Sequence, residues 1–131
     1  MKGLKEFILE ANTPQIKDKM YHKANPIDRE SIDKHGLLRK VGDSYKMHWE
    51  DLKNVKRLRK YVFMYDKEIH EYDTTYDDDI WEIDITKLDN SKIKGDPDRW
   101  MWKNKGCWVY ADDIPREAIK LVHEGTGESL Y

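Results

Sequence analysis

Four short apolar runs set the limits on this fold: YVFMYD at 61–66, IWEIDI at 80–85, CWVY at 107–110 and AIKLV at 118–122. Each has the length of a single β-strand and is rich in aromatic and β-branched residues. Polar, turn-rich stretches separate them. Parallel neighbours would need crossover connections of a dozen or more residues, usually helical, and few segments here suit one. The pattern predicts a small α+β fold: a split, mostly antiparallel sheet with flanking helices.

The second run alternates, with Ile80, Glu82 and Asp84 on one face and Trp81, Ile83 and Ile85 on the other, which describes a half-buried strand. Residues 86–96 read as a turn-rich link. Asp96-Pro97-Asp98 then opens a short helical turn through Arg99 to Trp102, and Asp113 is placed to cap a one-turn helix with Pro115 in its first turn. Upstream, Met20 to Leu38 reads as a strand ending in Tyr21-His22, a turn, and an amphipathic helix. Asn25 is the cap and Pro26 the first helical residue. Ile27, Ser31, Ile32 and Leu37 or Leu38 share a face, and Gly36 is a left-handed stop. His22 thus stands at a sheet edge beside a helix N-terminus, where a phosphate or sugar could sit; a surface histidine in a turn accounts for it equally well.

Residues 1–13 form an amphipathic helix with Leu4, Phe7 and Ile8 on one side, ended by Thr13-Pro14. Residues 48–60 form another, with an outer face of Lys53, Lys56, Arg57, Arg59 and Lys60 that suits phosphate or an acidic partner, although a solvated surface is the commoner explanation. The acids between 67 and 79 lack the spacing of a calcium loop and read as solvated. Residues 14–123 make one α+β domain, and 124–131 a flexible tail.

The 131 residues are 38% hydrophobic and 38% charged, yet five Trp and eight Tyr place the apolar content in large rings, which disordered chains lack. A net charge of -2 disfavours a general nucleic-acid coat. One cysteine excludes an internal disulfide, five histidines show no zinc-ligand spacing, and no run spans a membrane, so neither a metal nor a membrane is expected.

Two resemblances add to this. Met1-Lys2, Glu6-Phe7-Ile8 and Ile8-Leu9-Glu10 before Ala11 resemble the capsid-targeting peptide of internal head proteins in large contractile-tailed bacteriophages. That resemblance implies cleavage between Glu10 and Ala11 by a prohead protease. It also implies residence in the virion head and then the host cytoplasm, where a host protein is the target. Further on, Tyr21-His22, Gly36-Leu37, Val62 to Asp66, Trp108-Val109-Tyr110 and Ile114-Pro115 through Ile119 resemble a small ADP-ribosyltransferase domain. The resemblance implies NAD as cofactor, held by Tyr21, His22, Phe63 and Tyr65. His22 would contact a ribose hydroxyl, and Phe63 would take the place of the stacking tyrosine. The family's late-strand glutamate falls near Cys107 or Trp108, where no acid stands, so a catalytic carboxylate would have to come from Glu82, Asp66 or Asp113. Cys107 itself reads as a buried structural thiol. The missing glutamate leaves two functions open: an NAD-dependent transferase, or a non-catalytic protein on the same fold that binds and inhibits a host target through Trp81, Trp100, Trp102 and Trp108.

Overall fold

A computed structural model describes residues 15–39, 60–68 and 75–131. Among them six strands form one antiparallel sheet: β1 (Lys19–Ala24), β2 (Val62–Tyr65), β3 (Asp79–Asp84), β4 (Ile93–Gly95), β5 (Cys107–Tyr110) and β6 (Ile119–His123), in the spatial order β4-β5-β2-β1-β3-β6. Two helices accompany it, α1 (Arg29–His35) and α2 (Arg99–Lys105). This is the expected α+β class. β1 pairs with β3 from Lys19↔Asp84 to Ala24↔Asp79, and β2 with β5 from Val62↔Tyr110 to Tyr65↔Cys107. Between β1 and β2 the register holds only Tyr21↔Tyr65. A narrow seam therefore divides β4-β5-β2 from β1-β3-β6.

Strand alternation assigns the faces. Met20, Met64, Trp81, Ile83, Trp108, Tyr110 and Ile119 point to one side and join Ile32 of α1, Leu37 and Ile114 in a single buried cluster. α2 closes the far end of the same face through Trp102, which stands edge-on to Trp108 at 5.9 Å and 79°. Trp102 lies so near Gly95 that a Cβ there would be 2.1 Å from its ring.

Local chemistry accounts for the helix ends. The Asn25 side chain accepts from the Ile27 N–H at 3.0 Å with Pro26 behind it, a cap whose loss costs about 1 kcal/mol. Gly36 ends α1 at φ 78°. Leu37 and Ile114 then exchange both backbone hydrogen bonds, at 2.9 and 2.8 Å. A Cβ on Gly36 would sit 2.2 Å from the Ile114 carbonyl, so glycine is required there for both conformation and space. At α2, Asp98 accepts from the Trp100 N–H, as the Asp-Pro-Asp turn predicts.

Several expectations change. Ile27 faces outward, 64% exposed, because residues 26–28 form a 3-10 turn that shifts its direction away from the α1 stripe. β4 lies inside the stretch read as a link; three residues are too few to show a period. Asp113 caps no helix: it accepts from the Arg39 backbone N–H at 2.7 Å and from Arg39 Nε at 3.2 Å, and the 116–118 turn starts at Pro115 without a side-chain cap. The helices expected at 1–13 and 48–60 fall outside the described residues, apart from Lys60.

The largest departure concerns Asp79, read as part of a solvated acidic loop. It opens β3 and is fully buried. Arg29 Nε and Nη2 donate to its two oxygens at 2.7 Å each, and the Gly125 N–H adds a third bond at 2.8 Å. Arg29 also reaches Glu124 at 2.6 Å and the Gly125 carbonyl at 3.0 Å. Residues 124–131, expected to be a flexible tail, are bonded onward: Gly127 N–H to the Asp77 carbonyl, Asp77 N–H to Glu128, and Leu130 N–H to Thr75. Asp79→Ala leaves the Gly125 amide without its acceptor and takes two bonds from the partly exposed Arg29, which keeps Glu124, so stability in urea unfolding should fall by about 2 kcal/mol. Glu30→Ala, which breaks only the exposed 3.4 Å pair with Lys34, should change it by less than about 0.5 kcal/mol.

Candidate functional site

The seam between β1 and β2 centres on His22. The residue shares its face with Met20, opposite Trp81 in the β3 register, and its ring turns into the gap left where the β1–β2 ladder stops. There Nδ1 meets the Phe63 carbonyl at 2.7 Å. A carbonyl only accepts, so Nδ1 carries the proton and Nε2 is left as an acceptor. Burial holds the imidazole pKa below its usual 6.5, outweighing the Phe63 bond and the charge of Asp28, which both pull it up. The ring is therefore neutral at pH 7. A neutral imidazole with an accepting Nε2 suits a hydroxyl donor rather than an anion.

The other expected contacts do not gather around it. Tyr21 and Tyr65 are register partners, Glu82 faces Tyr21 across β1–β3, and Phe63 lies two residues from Tyr65, so these four share the face opposite to His22. Glu82 pairs with Lys19 at 3.5 Å. Asp113 stands beyond the end of β5, holding Arg39. Asp66 follows β2, where its carboxylate lies against Gly106. Cys107 and Trp108, near which the resemblance would call for glutamate, are both buried. A groove of about 630 Å³ along β6 takes in Glu82, Asp84, Arg116 and Lys120 but leaves out His22. Among the described residues no group of three His, Cys, Asp or Glu side chains could hold a metal ion, and no helix is long and apolar enough to cross a membrane.

The aromatic residues redistribute in the same way. Trp81, Trp102 and Trp108 belong to the core, and the Nε1 of each is buried with no hydrogen-bond partner among the described residues. Trp100 alone of the four named tryptophans is well exposed, at 49%, with Lys105 Nζ 5.0 Å from its ring centre. Sequence reasoning missed Arg29 and Asp79. Asp79 continues the inward positions of Trp81 and Ile83, a sign that an apolar strand began one residue earlier with a buried acid. No known protein family, curated protein or solved structure matches the chain.

The lowered His22 pKa fixes a pH dependence. Above pH 6.5 the imidazole is neutral in both folded and unfolded chains. As pH falls below 6.5, the unfolded chain takes up a proton that the folded chain resists until its lower pKa is reached, so stability is lost on the acid side. The carboxylates held low by their partners, Asp77, Asp84, Asp89 and Asp112, add losses only toward their ordinary value of 3.8, below this window. The melting midpoint should fall between pH 7 and pH 5, and His22→Gln, which retains a donor for Phe63, should flatten that fall. Parallel curves for the two proteins would contradict the assignment.

Proposed function

We propose that the chain is a bacteriophage internal head protein that acts on a host protein by binding it, without a reaction of its own. The observation that carries this reading is that Glu82 and Asp113, the acids expected to act with His22, do not stand beside it; the charge that reaches His22 is that of Asp28. Glu82 lies across the sheet from His22 and is paired with Lys19, and Asp113 is occupied with Arg39. No acid stands at Cys107 or Trp108, near which the resembled transferases carry glutamate. An oxocarbenium-like transition state needs a negative charge beside the reacting carbon, and losing it removes several kcal/mol of stabilisation, a thousandfold or more in rate. The opening resemblance of residues 1–11 to a capsid-targeting peptide supports packaging in the head and delivery with the DNA.

One observation favours the second reading, an NAD-dependent ADP-ribosyltransferase. His22 is held neutral, with Nε2 as an acceptor suited to a ribose hydroxyl.

Calorimetry with NAD and labelled-NAD transfer to host lysate separate the two. The binding reading expects neither heat nor label. Micromolar NAD binding that disappears in His22→Ala, together with transferred label, would replace it with the transferase. Packaging has its own check: co-expression with a cognate prohead protease should yield a chain starting at Ala11, and an uncut product would remove that part of the proposal.

A further inference from the structure

α2 turns Trp102 toward Gly95 and Trp108, so its period points Arg99, Trp100, Lys103 and Asn104 outward, and all four are exposed. Lys103 neighbours Trp100 at a spacing of three and Arg99 at a spacing of four, which makes the three side chains contiguous on the helix surface. The Trp100 indole is 49% exposed, although rings of that size are mostly buried in folded chains. Lys105 Nζ reaches to 5.0 Å from its ring centre, and Lys103 Nζ lies 5.7 Å from that of Trp102.

Positive charge prevails on this helix. Its first turn carries no acid, and its last turn carries Lys103 and Lys105. Among the described residues neither Arg99 nor Lys103 has a carboxylate partner. Two acids bound the patch: Asp98, which accepts from the Trp100 and Met101 N–H groups at 3.1 and 3.5 Å, and Asp66, whose carboxylate lies against Gly106. A half-exposed indole beside unpaired cations has the composition of an interface centre, where Trp and Arg carry much of the binding energy. The charge also narrows the partner. A chain of net charge -2 repels nucleic acid at long range, and one helical turn neutralises few phosphates. A seven-residue helix with one outward ring buries too little apolar area to hold a membrane. A protein segment with carboxylates one turn apart and an apolar side chain between them matches both the Arg99–Lys103 spacing and the indole.

We infer that the outward face of α2, formed by Arg99, Trp100 and Lys103, docks an acidic amphipathic segment of a partner protein. The inference deepens the binding reading and rests on it. The two cations speed and orient the encounter, and burial of the indole holds the complex.

The test uses the full chain and a short amphipathic peptide of glutamate and leucine, with a counterpart carrying lysine for every glutamate. The acidic peptide should bind, the basic one should not, and affinity should fall as salt is raised. Trp100→Ser should lose at least about tenfold in affinity with an unchanged melting midpoint. Lys103→Glu should weaken binding as well, whereas Lys34→Glu, the same charge change on α1, should leave it unaltered. No binding of the acidic peptide, equal binding of the two peptides, undiminished binding by Trp100→Ser, or an equal loss in Lys34→Glu would overturn the surface. So would tighter binding of a single-stranded oligonucleotide that Trp100→Ser abolishes, since nucleic acid would then be the occupant. A wild-type dimer in sedimentation that the same variant abolishes would overturn it in favour of a second copy. NAD binding, read separately on the same samples, tests the binding reading itself, so the two failures cannot be confused.

Discussion

A buried carboxylate, Asp79, ties together three parts of the chain that lie far apart in sequence. Its two oxygens receive Arg29 from the first turn of α1 and the Gly125 amide from the C-terminal segment, and its own backbone starts β3. A lone carboxylate inside a protein is strongly disfavoured, and three donors with a matching guanidinium make this one tolerable. The dependence runs both ways. Without Asp79, the partly buried Arg29 keeps only Glu124 and a carbonyl, and Gly125 has no acceptor. The exposed pairs, such as Lys19 with Glu82 or Lys34 with Glu30, carry no comparable weight, because water screens them and either partner can be rehydrated.

This arrangement has consequences for function. It ties the start of α1 to the start of β3. It also holds the C-terminal segment against the 75–79 strand entry. The seam offers one neutral acceptor, with none of Glu82, Asp66 and Asp113 beside it. Such an acceptor suits recognition of a hydroxyl.

Much of the fold is legible in the residues themselves. β2, β3, β5 and β6 each follow an apolar run, and the caps at Asn25, Gly36 and Asp98 are local chemistry that needs no tertiary context. Other parts are not legible, the buried Asp79 first among them. β4 is three residues long and gains its place only by pairing with β5. Ile27 follows the helical period, yet the first turn is 3-10, so the stripe begins one turn later. The candidate site suffers most, because period-2 alternation puts adjacent residues on opposite faces. Tyr21 and His22 are neighbours in sequence and on opposite sides of the sheet, and Glu82 follows Tyr21. The tryptophans show the same limit: composition announces large rings, but only the register assigns Trp81 and Trp108 to the core, and only the close approach to Gly95 assigns Trp102.

Asp79 locks the C-terminal segment to the sheet, and amide hydrogen exchange at Gly125 reports on that lock, since its N–H is bonded to the buried carboxylate and to no strand backbone. Gly125 should exchange as slowly as amides of β1 and β3, opening only with the whole domain, and Asp79→Asn should accelerate it together with Gly127 and Leu130. Exchange of Gly125 at the rate of an unstructured terminus in the wild-type chain would contradict it.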